Sequence, residues 1–170
     1  MVEAKGERKL NPVFEDDFWR VCIAWSKPIP YERARDEGSE HDETANLYMI
    51  TARFSDKKHK FIYLGKTYKQ YVQKRLKQPD HHARYAGIVR NHPKHRIFLR
   101  YGTVKVDAGK VTKKRIDDLE RILIYCLDDE HSRNVKSIYS HGVTDSYEIV
   151  SSGSRGTLPK CLALGFFCKG

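Results

Sequence analysis

The feature that most constrains the fold of this chain is a pair of short apolar runs, at 46–51 and 61–67, with a basic turn between them. Each run carries a tyrosine, Tyr48 in the first and Tyr63 in the second. Aromatic and β-branched runs bounded by a polar Ser-Asp-Lys cluster are typical of the two strands of a hairpin. The sequence therefore predicts a β-hairpin over about 46–66 as the centre of the fold.

Helical and strand patterns alternate after this hairpin. Apolar spacing predicts a helix over 67–78, with Thr67 as its N-cap, and a second helix over 80–90. A partly alternating run at 97–106 predicts a third strand, and 112–127 is the most strongly periodic helix in the sequence. We therefore expect an α+β protein in which helices flank a small three-stranded antiparallel sheet.

Two extensions are predicted to surround this core. Residues 1–44 form an acidic amino-terminal extension, 45–137 form the core domain, and 138–170 form a carboxy-terminal extension that packs on the core. The first extension contains an apolar segment at 13–26 that must pack against something, and the last contains a short strand at 147–150. A chain of 170 residues is large enough for a single hydrophobic core.

Positive charge is concentrated in one part of the chain. Residues 53–115 carry 19 Lys and Arg against three acids, whereas the rest of the chain carries 13 Lys and Arg against 19 acids. A surface charged only for solubility would not be divided in this way. The pattern indicates a nucleic-acid partner, since duplex DNA carries one negative charge per ~1.7 Å of its axis. The alternative is a solvated basic face without function.

Other classes of protein are disfavoured by the sequence. No apolar run approaches the ~20 residues that span a bilayer, and the basic block contains no long amphipathic helix, so we expect no membrane partner. The four cysteines match no zinc-module spacing, and a Walker-type phosphate loop is absent. We expect an intracellular, cytoplasmic protein with reduced cysteines, and the sequence leaves its oligomeric state open.

Glu120 is the acidic residue that the helical pattern singles out. At about 100° per residue, the apolar side chains of 112–127 fall on one face, and Glu120 lies within that arc. Asp117, Asp118 and Arg121 fall outside it. A carboxylate turned toward a core is costly unless it is paired or binds a metal ion. Two interpretations stay open: a metal ligand, or a buried ion pair with an arginine at the helix edge.

The order of these features resembles the GIY-YIG nuclease domain family over about 47–134. Tyr48 ends a segment that reads Asn-Leu-Tyr where Gly-Ile-Tyr is typical. Tyr63 and Gly65 match the tyrosine and glycine of Tyr-Ile-Gly, with a leucine in place of the isoleucine. The resemblance implies a metal-dependent endonuclease, and Asn134 stands where an asparagine closes the family module.

The family pattern also implies a role for each matched residue. A glutamate on the helix after the third strand is the family's divalent-metal ligand, which implies that Glu120 holds Mg²⁺ or Mn²⁺. An arginine on the first helix stabilises charge on the phosphate, and Arg75 is the natural match, with Lys74, Lys77 and Arg84 as competitors. The tyrosines orient or deprotonate the attacking water. A histidine follows the arginine helix, where His82 is favoured and His81 stays open. The implied catalytic residues are Tyr48, Tyr63, Arg75, His82 and Glu120.

The leading interpretation is a metal-dependent endonuclease that hydrolyses phosphodiester bonds in DNA. The alternative is a non-catalytic nucleic-acid-binding module on the same fold, which accounts for the basic block but not for an acid on the apolar face of a helix. RNA as a substrate, the biological role, and tyrosine rather than water as the nucleophile all stay open. The predicted nucleic-acid contacts are the basic residues Lys57, Lys58, Lys66, Lys69, Lys74 and Arg84.

Overall fold

The computed structural model describes residues 18–55, 58–127 and 142–164. The strands in these ranges are β1 (Phe18–Trp25), β2 (Ile29–Pro30), β3 (Leu47–Arg53), β4 (Lys60–Lys66), β5 (Arg96–Val106), β6 (Ser146–Gly153) and β7 (Cys161–Leu164). The helices are α1 (Tyr31–Asp36), α2 (Val72–Leu76), α3 (Pro79–Asn91) and α4 (Lys113–Leu127). None of these helices is both long and apolar enough to cross a membrane.

The prediction of a small three-stranded sheet is wrong, because the sheet has seven strands and is curled. Its order is β4-β3-β5-β1-β6-β7, with β2 paired to β5. Strands β4, β3 and β5 are antiparallel neighbours, but β5 also pairs with β1 from Val21 to Trp25. Strand β1 then pairs in parallel with β6, from Phe18 opposite Ser146 to Trp25 opposite Gly153. The segments predicted as extensions therefore satisfy backbone groups that a three-stranded sheet would leave unpaired at the edge of β5.

Each face of the sheet carries a hydrophobic cluster. Side chains of a strand alternate between faces, so Leu47 and Met49 contact one cluster while Tyr48 and Ile50 contact the other. The first cluster includes the apolar face of α4 and residues of β1 and β6. The second includes residues of α1, α2 and α3, which cover the β3–β4–β5 part of the sheet. Tyr48 therefore lies beneath the basic helices α2 and α3.

The first helix after the hairpin is shorter than predicted. It is α2, and it begins at Val72 with Tyr71 at its N-cap. Thr67 does not cap it, because the Thr67 hydroxyl donates a hydrogen bond to the carbonyl of Ala45 at 3.0 Å. Pro79 is the first residue of α3, a position where its missing N–H is not needed by the helix.

Asp118 lies in a buried position that the pattern of α4 does not predict. Its carboxylate accepts a hydrogen bond from the Tyr147 hydroxyl at 2.9 Å and pairs with Lys114 at 2.8 Å. Because Tyr147 belongs to β6, this side of α4 is covered by the strand that the three-stranded prediction leaves out. The helix consequently buries more of its circumference than its apolar arc indicates.

Candidate active site

A group of aromatic and basic side chains lies where β3, β4 and α3 meet. Tyr48 is fully buried, and its hydroxyl oxygen lies 3.0 Å from Nε2 of His81. The rings of Tyr48 and Tyr63 are 6.1 Å apart between centroids. The guanidinium of Arg84 lies 4.5 Å from the centroid of the Tyr63 ring, and its Nη1 is 3.3 Å from Nε2 of His81. We call these four residues the tyrosine–histidine cluster.

The backbone of the hairpin explains why both tyrosines reach the same place. The β3–β4 register shifts after Ile50, whose partner is Tyr63, so that the next residue of β3 is opposite Phe61. This shift lies beyond both tyrosines: from Leu47 opposite Lys66 to Ile50 opposite Tyr63 the pairing is regular, so Tyr48 and Tyr63 lie on the same face of the sheet. Gly65 is directly opposite Tyr48, and a Cβ at position 65 would meet the rings of both Tyr48 and Tyr63. A residue without a side chain therefore leaves room for the two phenols to converge.

Arg75 lies beside the cluster. Its Nη2 is 3.1 Å from Oδ2 of Asp80, and the same guanidinium donates to the side chain of Gln78. The positive charge of Arg75 acts on the pKa values of both Tyr48 and His81, so the two groups lie within its electrostatic reach. Of the two arginines that the sequence offers, Arg84 is the one in contact with the tyrosine–histidine cluster.

Burial dominates the protonation of the cluster. It raises the pKa of Tyr48 well above the ordinary tyrosine value. Burial also raises the pKa of Tyr63, against the opposing charge of Arg84. Burial lowers the pKa of His81 to about 4, and the charges of Arg75 and Arg84 act in the same direction. At neutral pH the phenols are therefore protonated and the imidazole is neutral, so that one of its nitrogens can accept a proton.

Glu120 belongs to α4, and its negative charge acts on Tyr63: burial raises the pKa of that tyrosine most, Arg84 opposes the shift, and Glu120 adds to it. The side chain of Glu120 is only 15% exposed, and its Oε2 lies 2.6 Å from Nζ of Lys66. Oδ1 of Asp117 lies 3.0 Å from the same nitrogen. Burial raises the pKa of Glu120, and the hydrogen bond from Lys66 opposes that shift. The partner of the buried carboxylate is therefore a lysine, whereas the sequence suggested an arginine.

The two carboxylates around Lys66 fit a hard divalent ion that also needs oxygen atoms from a substrate. Mg²⁺ is usually held by one or two carboxylates together with waters and phosphate oxygens. Glu120 and Asp117 are three residues apart on α4 and converge on one point. Within the described ranges, no group of three or more His, Cys, Asp or Glu side chains could hold a metal ion. Waters or phosphate oxygens would complete the shell of an ion held by these two carboxylates.

The remaining predicted residues do not belong to the tyrosine–histidine cluster. His82 is exposed, whereas His81 is 1% exposed and takes part in the cluster. Lys58 and Lys74 are exposed, and Lys69 lies over the ring of Tyr68 at 5.6 Å from its centroid. Lys66 is paired with the two carboxylates of α4. Lys57 and Asn134 lie outside the described residues.

The helical spacing of the sequence could have identified His81 and Arg84, which the family pattern left as alternatives to His82 and Arg75. His81, Arg84 and Ile88 follow an i, i+3, i+7 spacing, which places them on one face of a helix. Ile88 is fully buried, so this face is the one turned toward the sheet. Because His81 and Arg84 share this face of α3 with Ile88, the spacing predicts that both side chains face the sheet.

Comparison with family models, with curated proteins and with solved structures finds no match to this chain. The likeness to GIY-YIG nucleases therefore stays a prediction from the order of the motifs. What can be said of function depends on the residues of the tyrosine–histidine cluster and on the carboxylates beside it.

Proposed function

We propose that this protein is a metal-dependent endonuclease that hydrolyses phosphodiester bonds in DNA. The observation that carries the proposal is the convergence of the tyrosine–histidine cluster, three of whose four residues belong to the basic block, within the electrostatic reach of the Glu120 carboxylate. Phosphodiester hydrolysis needs a group that takes a proton from water, a cation for the phosphate and a carboxylate for a metal ion. The motif order that resembles GIY-YIG nucleases supports the same class of reaction.

In this proposal Tyr63 is the phenol that meets the substrate. It is 9% exposed, whereas Tyr48 lies fully buried behind it. The pKa values of the two phenols influence each other, so their hydroxyls lie close together, and the Tyr48 hydroxyl oxygen lies 3.0 Å from Nε2 of His81. In the proposed path the Tyr63 hydroxyl turns to donate its proton to Tyr48. A proton that leaves the attacking water passes to Tyr63 as the proton of Tyr63 moves to Tyr48 and that of Tyr48 moves to His81. Neutral His81 is the final acceptor, and the negative charge of a bound phosphate favours its protonated form.

Arg84 and Arg75 supply the positive charge in this scheme. Arg84 faces the ring of Tyr63, so a phosphate that reaches Tyr63 also reaches the guanidinium, which can donate two parallel hydrogen bonds to it. Arg75 strengthens the field from the side of α2. When held by Glu120 and Asp117, Mg²⁺ or Mn²⁺ supplies polarisation of the scissile phosphate and stabilisation of the leaving oxygen. Lys66 would have to leave both carboxylates for them to hold the ion, and its ammonium group could then contact a phosphate.

The second candidate function is non-catalytic nucleic-acid binding, and one contact favours it. Nζ of Lys66 lies between Glu120 and Asp117 and already neutralises part of their charge. A protein that only binds nucleic acid would keep this ion pair permanently. An endonuclease must open it for the metal ion.

We assign the proposed activity to the cytoplasm. The cysteines in the described ranges, Cys22, Cys126 and Cys161, are exposed free thiols. Such thiols are compatible with a reducing compartment. Nucleic acid is available in the same compartment.

The deciding experiment measures nicking of plasmid and of structured DNA in Mg²⁺, Mn²⁺ or EDTA. We expect cleavage only with the metal ions, and its loss in Glu120→Gln, a variant whose folding is checked by thermal unfolding. Glu148→Gln is the matched control, because Glu148 is a half-buried acid of β6 that pairs with Arg20 away from the cluster. DNA binding without cleavage in any metal would reject the endonuclease and support the binding module. A matched RNA substrate separates the two nucleic acids.

A further inference from the structure

A basic cavity lies at the turn end of the β3–β4 hairpin. It has a volume of about 310 Å³ and is lined by Ala52, Phe54, Lys58, Lys60, Lys94 and His95. This volume is at the low end of the ~300–1,000 Å³ range of small-ligand pockets. Three of the lining residues are lysines and two are aromatic rings. We call this cavity the hairpin pocket.

The lysines of the hairpin pocket form no ion pair with an acidic side chain in the described part of the chain. Lys58 and Lys60 come from the hairpin, and Lys94 comes from the loop after α3, so two separate segments converge there. None of the three forms an ion pair with a described residue. Lys66 on the same hairpin, in contrast, is paired with two carboxylates. Lysines that gather at a cavity without acidic partners among the described residues are suited to an anionic ligand.

The aromatic side of the pocket is suited to a flat ring. Phe54 is 40% exposed, and its centroid lies 5.5 Å from that of His95. Nδ1 of His95 is buried and has no hydrogen-bond partner among the described residues. A buried polar atom without a partner is unfavourable and is commonly satisfied by a ligand or a water. The pocket thus combines an apolar ring, an unsatisfied ring nitrogen and three cations.

We infer that the hairpin pocket binds one unpaired nucleotide of the DNA substrate. The base stacks on Phe54, and the lysines contact the phosphates on either side of it. This inference rests on the proposed function and names the substrate class: DNA with single-stranded nucleotides near the scissile bond. A paired base must first be unpaired and unstacked before it can enter a cavity, whereas an unpaired base offers its face to an aromatic ring without that cost.

The position of the pocket relative to the tyrosine–histidine cluster fits one substrate strand. Helix α3 has 13 residues and is therefore roughly 20 Å long. His81 lies in its first turn, and Lys94 and His95 follow its last residue. Ala52 and Tyr48 are also on the same face of β3, an even number of residues apart. The unpaired nucleotide would therefore lie several nucleotides from the bond that is cut.

The experiment measures binding in EDTA, where cleavage cannot occur, at one fixed salt concentration. An unstructured single strand and a blunt duplex of equal length are compared by fluorescence anisotropy, with 2-aminopurine in the single strand as a probe of stacking. We expect Phe54→Ala to lower the affinity for the single strand ~10-fold, and to change that for the duplex by no more than about twofold. Quenching of 2-aminopurine by the wild type should be lost in this variant.

Two further variants test whether a loss of affinity comes from the hairpin pocket or from a general effect on DNA binding. Phe54→Leu keeps an apolar side chain and should show the same selective loss, because it lacks the ring face. Tyr125→Ala on α4 is the matched control: Tyr125 is 45% exposed and belongs to the opposite face of the sheet. It should bind both DNAs as the wild type does.

Three results would overturn the inference. They are an unchanged affinity of Phe54→Ala for the single strand, an equal loss for both DNAs, and no binding of either DNA by the wild type. The last would reject the proposed function as well. A selective loss in a protein that cuts no DNA under any metal would support the hairpin pocket and reject the endonuclease.

Discussion

Gly65 on β4 lies directly against the phenol of Tyr48 on β3: a Cβ at position 65 would be 2.4 Å from both Cζ and the hydroxyl oxygen of Tyr48. The same Cβ would be 2.8 Å from Cε1 of Tyr63. The glycine of the second motif is thus explained by packing, independently of any family. Only a residue without a side chain allows the two rings to share this space.

We predict that Gly65→Ala lowers the free energy of unfolding by roughly 1–3 kcal/mol, because the methyl group overpacks a buried site. Gly87→Ala is the control. A Cβ at Gly87 in α3 would meet nothing within 4 Å, so this change should stabilise the protein by about 0.5–1 kcal/mol. Denaturant unfolding of both variants measures the difference. A Gly65→Ala variant as stable as the wild type would contradict the close packing of Tyr48.

Removing the Tyr63 hydroxyl should affect the proposed reaction more than removing that of Tyr48. Tyr63→Phe keeps the ring and should lower the cleavage rate ~10²-fold or more, as for the loss of a general base. Tyr48→Phe should lower it less, because Tyr48 acts through Tyr63. Single-turnover cleavage and anisotropy binding measure rate and affinity separately, with Tyr125→Phe as the control. Full activity in a correctly folded Tyr63→Phe variant would reject the proton path.

Lys66→Met tests whether the carboxylates of α4 can hold a divalent ion. The variant leaves buried Glu120 unpaired, so it should be less stable than the wild type without metal. A ligand that binds only the folded state raises its stability, so Mg²⁺ should raise the melting temperature of Lys66→Met more than that of the wild type. Adding Glu120→Gln to Lys66→Met should abolish the effect of Mg²⁺ on the melting temperature. If Mg²⁺ leaves the melting temperature of Lys66→Met unchanged, the metal site is rejected.

The stability of the protein should fall between pH 7 and pH 5. The pKa of His81 is lowered from its ordinary value of 6.5 to about 4, so the unfolded chain binds a proton in this range that the folded protein does not. This stabilisation is complete above pH 6.5 and is lost as the pH falls toward 4; by pH 5 the loss is at most roughly 2 kcal/mol. His59, whose pKa burial also lowers to about 4, adds to it with the same sign.

Denaturant unfolding at the two pH values measures this loss. His81→Gln should reduce the difference between pH 7 and pH 5, while His82→Gln, at an exposed position, should leave it unchanged. Equal pH dependence in the wild type and His81→Gln would contradict the burial of a neutral imidazole at position 81.

The arginine of the cluster and an exposed lysine should differ in what they contribute. Arg84→Ala should lower the cleavage rate ~10²-fold with little loss of DNA affinity, because its proposed contact is to charge that develops in the reaction. Arg75→Ala should act in the same direction but less. Lys74→Ala should instead weaken binding and reduce the salt dependence by about one unit of slope. Equal effects of Arg84→Ala and Lys74→Ala on affinity would assign Arg84 to general electrostatic binding.

Local patterns predicted the elements but not how the ends of the chain join them. The strands around Tyr48 and Tyr63 and the helix that carries Glu120 follow from alternation and from 3.6-residue spacing, which are properties of neighbouring residues. The pairing of Phe18–Trp25 with Ser146–Gly153 is a contact between distant segments, and no local pattern encodes a partner. The burial of Asp118 beneath Tyr147 was unpredictable for the same reason.

The sequence likewise predicted one part of the candidate site and not the rest. Tyr48, Tyr63 and Gly65 are opposite or adjacent in one hairpin, so their order in the sequence was enough to bring them together. The choice of His81 over His82 depends on the rotation of α3 on the sheet, which the start of the helix at Pro79 determines. The pairing of Lys66 with Glu120 joins β4 to α4, and it converts a predicted DNA contact into part of the carboxylate site.

The parallel pairing of β1 with β6 has a consequence for the order in which the protein folds. During synthesis β1 leaves the ribosome first among the described strands, and of its two neighbours β5 and β6, the second emerges much later. The β3–β4–β5 meander with the tyrosine–histidine cluster can form from local contacts, and β1 can join it through β5, whereas the other edge of β1 stays unpaired until β6 emerges. The part of the sheet that carries the tyrosine–histidine cluster therefore forms early. The sheet is completed only when nearly the whole described chain is available.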